Sequence, residues 1–338
     1  MRAVQISAYD GKPESLSVVD LPMPRPGPGE VLVKVFASPV NPSDLMFLQG
    51  LYGFKKPLPA VPGFEGSGTV VDAGPGMMGR LLKGKRVACA AADERIVGGM
   101  WAEYLVTSAK LCIPLRKDVD LEQGAVMLVN PMTAWGLMEE ARRGGHKALV
   151  QTAAASALGR MIVRLGQMFS LPVINIVHRP QQVELLRSLG AQYVLNSEEP
   201  EFETKLRELC HRLSATIGFD AVAGDLSLKV LRAQPRGARL LVYGALSLSP
   251  SQADPASLIF DGKRIEGFWL SAWLNRKSLI GQLRVARQVQ KLLSSALKTE
   301  FQARLRLNDT PRGLHQYATN MTGGKVLLLA SSPENPAP

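Results

Sequence analysis

The chain has 338 residues, 46% hydrophobic and 20% charged, which suits a soluble globular protein long enough for two ordinary domains. Its 40 basic and 29 acidic residues give a formal charge of +11 spread along the sequence, favouring anionic, phosphate-bearing partners. Basic residues interleaved with exposed aromatics are not evident, so no nucleic-acid surface is expected. No run approaches the roughly 18 apolar residues of a membrane helix, and the MRAVQISAYDG start has no long apolar stretch, so the expected compartment is the cytoplasm. Cys89, Cys112 and Cys210 are odd in number and lack metal-type spacing, which argues against a disulfide framework or a zinc knuckle.

Residues 1 to about 120 are rich in Gly and Pro and carry short β-type runs such as Val31–Val35 and Gly68–Val71, each bounded by turn residues. After Pro131 the pattern changes. Ala134, Leu137, Met138 and Ala141 repeat at helical spacing until Gly144 and Gly145. Strand and helix then alternate: Ala148–Ala153, Ala157–Met168, Pro172–Val177 and Gln181–Leu189. This alternation predicts a parallel, doubly wound sheet. Further strands are expected at Phe219–Val222 and Arg239–Tyr243, an amphipathic helix at 275–298, and a last strand at Lys325–Ala330 before a Ser/Pro/Asn tail. The densest basic stretch holds Arg276, Lys277, Arg284, Arg287, Lys291, Lys298, Arg304 and Arg306, read as a solvated helix face or a docking surface for an acidic carrier protein.

The turn after the first strand of the parallel unit reads Ala154-Ala155-Ser156-Ala157-Leu158-Gly159, the spacing of G-x-G-x-x-G with small residues at its first two glycine positions. Small side chains let the backbone approach a pyrophosphate, and the helix that begins there turns free N–H groups and a positive dipole end towards it. An NAD site has an Asp or Glu about 20 residues further on to hold the ribose 2′-hydroxyl. Here the second strand ends in Val177-His178-Arg179-Pro180. With no carboxylate and an arginine able to pair with a 2′-phosphate, the expected cofactor is NADPH.

Asn41-Pro42-Ser43-Asp44, then Gly63-Phe64-Glu65-Gly66-Ser67-Gly68, then the nucleotide fold resemble the medium-chain dehydrogenase/reductase superfamily over nearly the whole chain. That resemblance implies a GroES-like, mostly β catalytic domain over 1–122, with 266–338 returning to it, and a Rossmann domain over 123–265. In zinc alcohol dehydrogenases the two motifs supply a Cys and a His as metal ligands. Asn41 and Phe64 stand in those places, so no metal is expected. Within the zinc-free branch, Gln49-Gly-Leu-Tyr52-Gly, Val129-Asn130-Pro131-Met-Thr133-Ala, Val173 to Pro180 and Gly267-Phe268-Trp269-Leu270-Ser271 resemble 2-enoyl thioester reductases. Quinone oxidoreductases share the Asn-Pro-Ser-Asp string.

The resemblance puts the catalytic tyrosine at Tyr52. It puts cofactor contacts at Asn41, Asn130, Thr133, Ala155, Ser156, Ala157, Leu158, His178, Arg179, Tyr243, Gly244, Ala245, Leu246, Phe268, Trp269, Leu270, Ser271 and Lys325. It implies hydride transfer from NADPH to the β-carbon of an α,β-unsaturated thioester on CoA or an acyl carrier protein, with Tyr52 donating to the thioester oxygen or protonating the α-carbon. Phe268, Trp269, Leu270 and Trp273 would wall the acyl pocket, and relatives of this type are commonly homodimers. A quinone or small-enone reductase, and a binding protein that keeps the nucleotide fold without catalysis, are the alternatives.

Overall fold

The computed structural model describes residues 1–91 and 98–330. The chain forms two compact units, Met1–Asn130 with Lys298 onward, and Pro131–Leu297. Both divisions fall later than those read from the sequence, at 122/123 and 265/266. Residues 266–297 stay with the second unit because they continue its sheet and helices. Buried Val285 and Val289 anchor the helix Leu279–Leu292, and the Arg164 guanidinium donates to the carbonyl of Ala296 at 2.9 Å.

In the first unit β1 (Arg2–Ile6) pairs antiparallel with β2 (Leu16–Asp20). The main sheet is built on β3 (Glu30–Pro39), β4 (Glu65–Ala73), β5 (Arg86–Ala90), β6 (Tyr104–Ser108) and β7 (Cys112–Pro114). Val31, Val33 and Val35 on β3 are fully buried, at about 1.5–3 kcal/mol each relative to exposure. A Cβ on Gly68 of β4 would lie 2.1 Å from the Lys34 carbonyl oxygen, so the close approach of β3 and β4 requires glycine there.

The second unit carries β8 (Ala148–Gln151), β9 (Val173–Val177), β10 (Tyr193–Asn196), β11 (Ala215–Asp220), β12 (Arg239–Val242) and β13 (Arg264–Gly267). They form one parallel sheet in the order β10-β9-β8-β11-β12-β13. This is the doubly wound arrangement expected from the sequence. All five residues of β9 are buried, as a parallel strand covered on both faces requires. Val150, Ile174 and Ile176 share a core with Leu206 and Cys210 of the helix Phe202–Leu213 and with Val230 and Leu231 of the helix Asp225–Ala233. A second core joins Ala154, Ala155 and Val163 to Val177 and Leu186. Back in the first unit, β14 (Phe301–Arg306) runs parallel to β15 (Lys325–Leu329), and β15 pairs antiparallel with β3.

Candidate active site

In a sheet with every strand parallel, the carboxyl ends of the strands share one edge, and ligands of doubly wound folds bind outside that edge where the strand order reverses. The reversal lies between β8 and β11. Beyond β8 the chain turns through Ala153, at φ 48°, and enters the helix Ala157–Met168. Ser156 caps this helix, its hydroxyl accepting from the Gly159 N–H at 3.1 Å. The N–H groups of Ala157 and Leu158 belong to the first turn and have no carbonyl partner within the helix. A Cβ on Gly159 would sit 2.4 Å from the Ala154 oxygen, so the helix packs this closely on the turn before it only with glycine. The turn is therefore narrow, small-walled and donor-rich.

His178 and Arg179 follow β9, next to β8, and both side chains are exposed. The His178 backbone N–H is held by Gln182 at 3.2 Å, and Arg179 precedes Pro180 in extended backbone, φ −139°. On the other side of the reversal, Tyr243, Gly244, Ala245 and Leu246 follow β12. Their path is tied to the end of β11 by the Tyr243 N–H to the Asp220 carbonyl at 2.8 Å and the Leu246 N–H to the Ala221 carbonyl at 3.0 Å. The Tyr243 hydroxyl is buried and has no hydrogen-bond partner among the described residues, and burial, with the nearby Asp220 charge, pushes its pKa up. Phe268, Trp269, Leu270 and Ser271 follow β13. Phe268 packs on Trp273 with ring centroids 6.1 Å apart and faces Gly136 of the helix Asn130–Arg143, whereas Trp269 is 59% exposed. Trp273, expected in an acyl pocket, is buried, its indole N–H bonded to Glu140 at 3.0 Å. Thr133 is buried in the first turn of Asn130–Arg143.

The first unit holds Tyr52, Asn41, Asn130 and Lys325. Tyr52 is half-buried in an aromatic cluster, its ring centroid 4.6 Å from Phe64 and 5.2 Å from Phe54. Phe64, in the motif position where zinc relatives carry a metal ligand, packs its ring on Phe47, Tyr52 and Phe54. Among the described residues no three His, Cys, Asp or Glu side chains converge as a metal would need. Asn41 starts the helix Pro42–Leu48 and is fully buried; Asn130 opens Asn130–Arg143 and is half-buried. Lys325, expected to touch the cofactor, is 1% exposed, and its ammonium donates to the Val40 carbonyl at 3.2 Å, to Asn41 Oδ1 and to the Tyr317 hydroxyl at 3.0 Å. The ammonium's three protons are committed within this unit.

Two groups of residues were missed by sequence reasoning. Asp220, ending β11, accepts from the Thr152 hydroxyl at 2.7 Å, from the Val222 and Ala223 N–H groups at 2.9 and 3.2 Å, and from the Ser227 hydroxyl at 2.5 Å. This fixes the loop at the reversal. Glu65, within a quoted motif but given no role, accepts from Asn41 Nδ2 and from the Leu128 and Val129 N–H groups, each at 2.9 Å. Burial pushes Glu65 up to about 6 and Asp44 up to about 7. The local signal for Glu65 was its place in the Gly63–Gly68 string; Asp220, inside a strand expected over Phe219–Val222, had none.

Residues 27–117 match the family model for the alcohol dehydrogenase GroES-like domain, and residues 157–284 that for the zinc-binding dehydrogenase. The chain is 34% identical over 252 residues to the mitochondrial enoyl-acyl-carrier-protein reductase of Homo sapiens, covering 72% of this chain and 65% of that one. It is 34% identical to the Rattus norvegicus counterpart over 259 residues, 74% of this chain and 67% of the other. Among solved structures, one described as an NADPH:quinone reductase of Mesorhizobium loti superposes with TM-score 0.89 at 35% identity, covering 97% of this chain and 98% of its own. A mycobacterial protein in complex with NADPH gives TM-score 0.81 at 27% identity, covering 97% and 99%.

Proposed function

The chain belongs to the medium-chain dehydrogenase/reductase superfamily and is an oxidoreductase, and from that premise we propose that it is an NADPH-dependent, zinc-independent reductase of α,β-unsaturated acyl thioesters. The observation that carries the cofactor is the carboxylate-free end of β9, with Arg179 exposed beside the narrow turn before Gly159. The dinucleotide lies along the carboxyl edge of the parallel sheet. Its pyrophosphate meets the N–H groups of Ala157 and Leu158, and its 2′-phosphate pairs with Arg179. From β9 to β13 that edge spans roughly 19 Å at ~4.8 Å per strand, which brings Tyr243–Leu246 and Phe268–Ser271 to the nicotinamide end. Asn130 and Thr133 attend the nicotinamide ribose, and Asn41 borders the reacting centre.

When bound, NADPH supplies a hydride to the β-carbon of the thioester. Tyr52 then provides the proton, donating to the thioester oxygen or to the α-carbon, a role open to a phenol of reference pKa about 10. Identity of 34% to enoyl-acyl-carrier-protein reductases supports the thioester. A quinone substrate is the second reading, favoured by the 35% identity and near-complete overlap with the Mesorhizobium loti protein. The acyl group reaches the enzyme on CoA or on an acyl carrier protein. The three cysteines are free thiols, which suits the reducing cytoplasm. The outer edge of β13, which pairs with no other strand among the described residues and lies near exposed Ile259, Phe260 and Trp269, suits a homodimer.

The test is NADPH oxidation with a short 2-enoyl-CoA and, separately, with a simple quinone, each repeated with NADH. Turnover of the thioester with NADPH supports the first reading, and turnover of the quinone alone replaces it with the second.

A further inference from the structure

A connected set of buried polar side chains joins three strand ends of the first unit. Asn41, Asp44, Glu65 and Lys325 are each at most 1% exposed. The Asn41 amide lies between charges of opposite sign: Oδ1 accepts from the Lys325 ammonium and Nδ2 donates to Glu65 Oε1 at 2.9 Å. Reversing the amide would set NH2 against NH3⁺ and oxygen against carboxylate, so its orientation is determined from both ends. The other Glu65 oxygen takes the N–H groups of Leu128 and Val129, both at 2.9 Å, immediately before Asn130. Asp44 holds the Asn41 N–H at 2.8 Å and the Phe64 N–H at 3.2 Å. Buried ions that merely filled space would be replaceable by apolar residues of the same volume. Here each of the three charges makes a hydrogen bond to Asn41, and Glu65 alone also holds the backbone leading to Asn130.

We propose that Glu65 and Lys325 are positioning residues for the reduction, Lys325 setting the direction of the Asn41 amide and Glu65 fixing Asn41 relative to Asn130. The inference rests on the reading above, in which Asn41 and Asn130 attend the nicotinamide and the reacting centre. Neither charged residue touches cofactor or substrate; both act through the two asparagines. A carboxylate can accept all three Glu65 hydrogen bonds, whereas a carboxylic acid or an amide cannot. Glu65 therefore has to be ionised for the arrangement to hold. The groups facing it are Lys325 on β15, Tyr317 through the lysine from the helix Thr310–Thr319, and Asp44 from the helix Pro42–Leu48.

The experiment uses the full chain and compares wild type with Glu65→Gln, Lys325→Met and the milder Tyr317→Phe. NADPH affinity is read by cofactor fluorescence, single-turnover NADPH oxidation with whichever of the 2-enoyl-CoA or the quinone the wild type reduces, and turnover from pH 5 to 8. The expected result is a loss of tenfold or more in single-turnover rate for Glu65→Gln and Lys325→Met, with NADPH affinity changed less than threefold, and a threefold or larger loss for Tyr317→Phe. Wild-type turnover falls on the acid side by more than one decade per pH unit as Asp44, near 7, and Glu65, near 6, both take up protons; in Glu65→Gln the slope relaxes to one. If Glu65→Gln or Lys325→Met does not fold, Tyr317→Phe and the wild-type profile decide. Variants that turn over like wild type, or a wild-type profile flat from pH 5 to 8, overturn the inference and leave the proposed activity standing. A wild type that binds neither NADPH nor NADH overturns both.

Discussion

Asp220 closes β11 at the point where the strand order reverses, and its removal tests whether the loop there is held by hydrogen bonds to a single carboxylate. In Asp220→Ala the Val222 and Ala223 N–H groups lose their side-chain acceptor, while the Thr152 and Ser227 hydroxyls lose an acceptor each. The hydroxyls can rotate: Thr152 still accepts the Ala221 N–H at 2.9 Å, and Ser227 has the Ser251 hydroxyl at 3.1 Å. The two backbone donors have no such recourse. At about 1–3 kcal/mol for each orphaned donor, the two together come to about 2–6 kcal/mol. Asp220→Asn behaves differently. Its amide oxygen keeps Thr152, Val222 and Ala223, and its NH2 donates to Ser227, whose proton turns to Ser251. Only the charge assistance is lost, about 1 kcal/mol. Equilibrium urea unfolding of the three proteins gives the comparison. Because Tyr243 and Leu246 hang on the same loop through backbone bonds, NADPH binding should weaken in the order wild type, Asn, Ala. Equal stabilities for the Asn and Ala variants, or an Ala variant within about 0.5 kcal/mol of wild type, would refute this account of the loop.

Arg179→Ala should weaken NADPH binding by about 10- to 150-fold, the equivalent of about 1.5–3 kcal/mol for hydrogen bonds to a charged group, and leave NADH binding unchanged; calorimetric titration with both cofactors checks it, and equal losses for the two would remove Arg179 from the 2′-phosphate. Burial holds the folded pKa of Asp44 near 7, above its ordinary 3.8, so the folded state binds the extra proton between those values. Its stabilising contribution is therefore present at low pH and is lost as pH rises through 7, on the order of a few kcal/mol. Asp44→Asn should accordingly flatten the fall in melting temperature between pH 5.5 and 8, and an unchanged slope would contradict the assignment. Stability and turnover then respond to acid in opposite senses, because the proton that eases burial also loosens Asn41.

The parallel unit was legible where patterns are local. Leu158, Met161, Ile162 and Leu165 recur at helical spacing behind the Ser156 cap, and the helix runs Ala157–Met168 as read. The apolar runs of β8 and β9 stood out because both faces of those strands are covered. Errors arose where geometry overrode composition. β8 ends at Gln151, two residues early, because the chain turns at Ala153. β11 spans Ala215–Asp220 and not Phe219–Val222, since Ala223, at φ 64°, already belongs to the turn. The helix expected over 275–298 is Leu279–Leu292, started by the Ser278 cap. β14 is an edge strand carrying Arg304 and Arg306, too polar to read as a strand, and it is held in part by the Arg304–Glu122 fork at 2.6 Å. The candidate site was legible through motifs that sit on single turns, such as residues 154–159 and 177–180. The Lys325–Asn41–Glu65 set was not, because its members lie 284 and 24 residues apart and meet only when β15, β3 and β4 pair.

The rate of NADPH oxidation with a short 2-enoyl-CoA, compared between wild type and Tyr52→Phe, decides whether the protein reduces thioesters through Tyr52. Wild type should turn over rapidly with NADPH and slowly with NADH, and Tyr52→Phe should fall about 10²-fold or more with NADPH still bound. Wild type that oxidises NADPH only with a quinone, or a Tyr52→Phe variant with full thioester turnover, would contradict that reading.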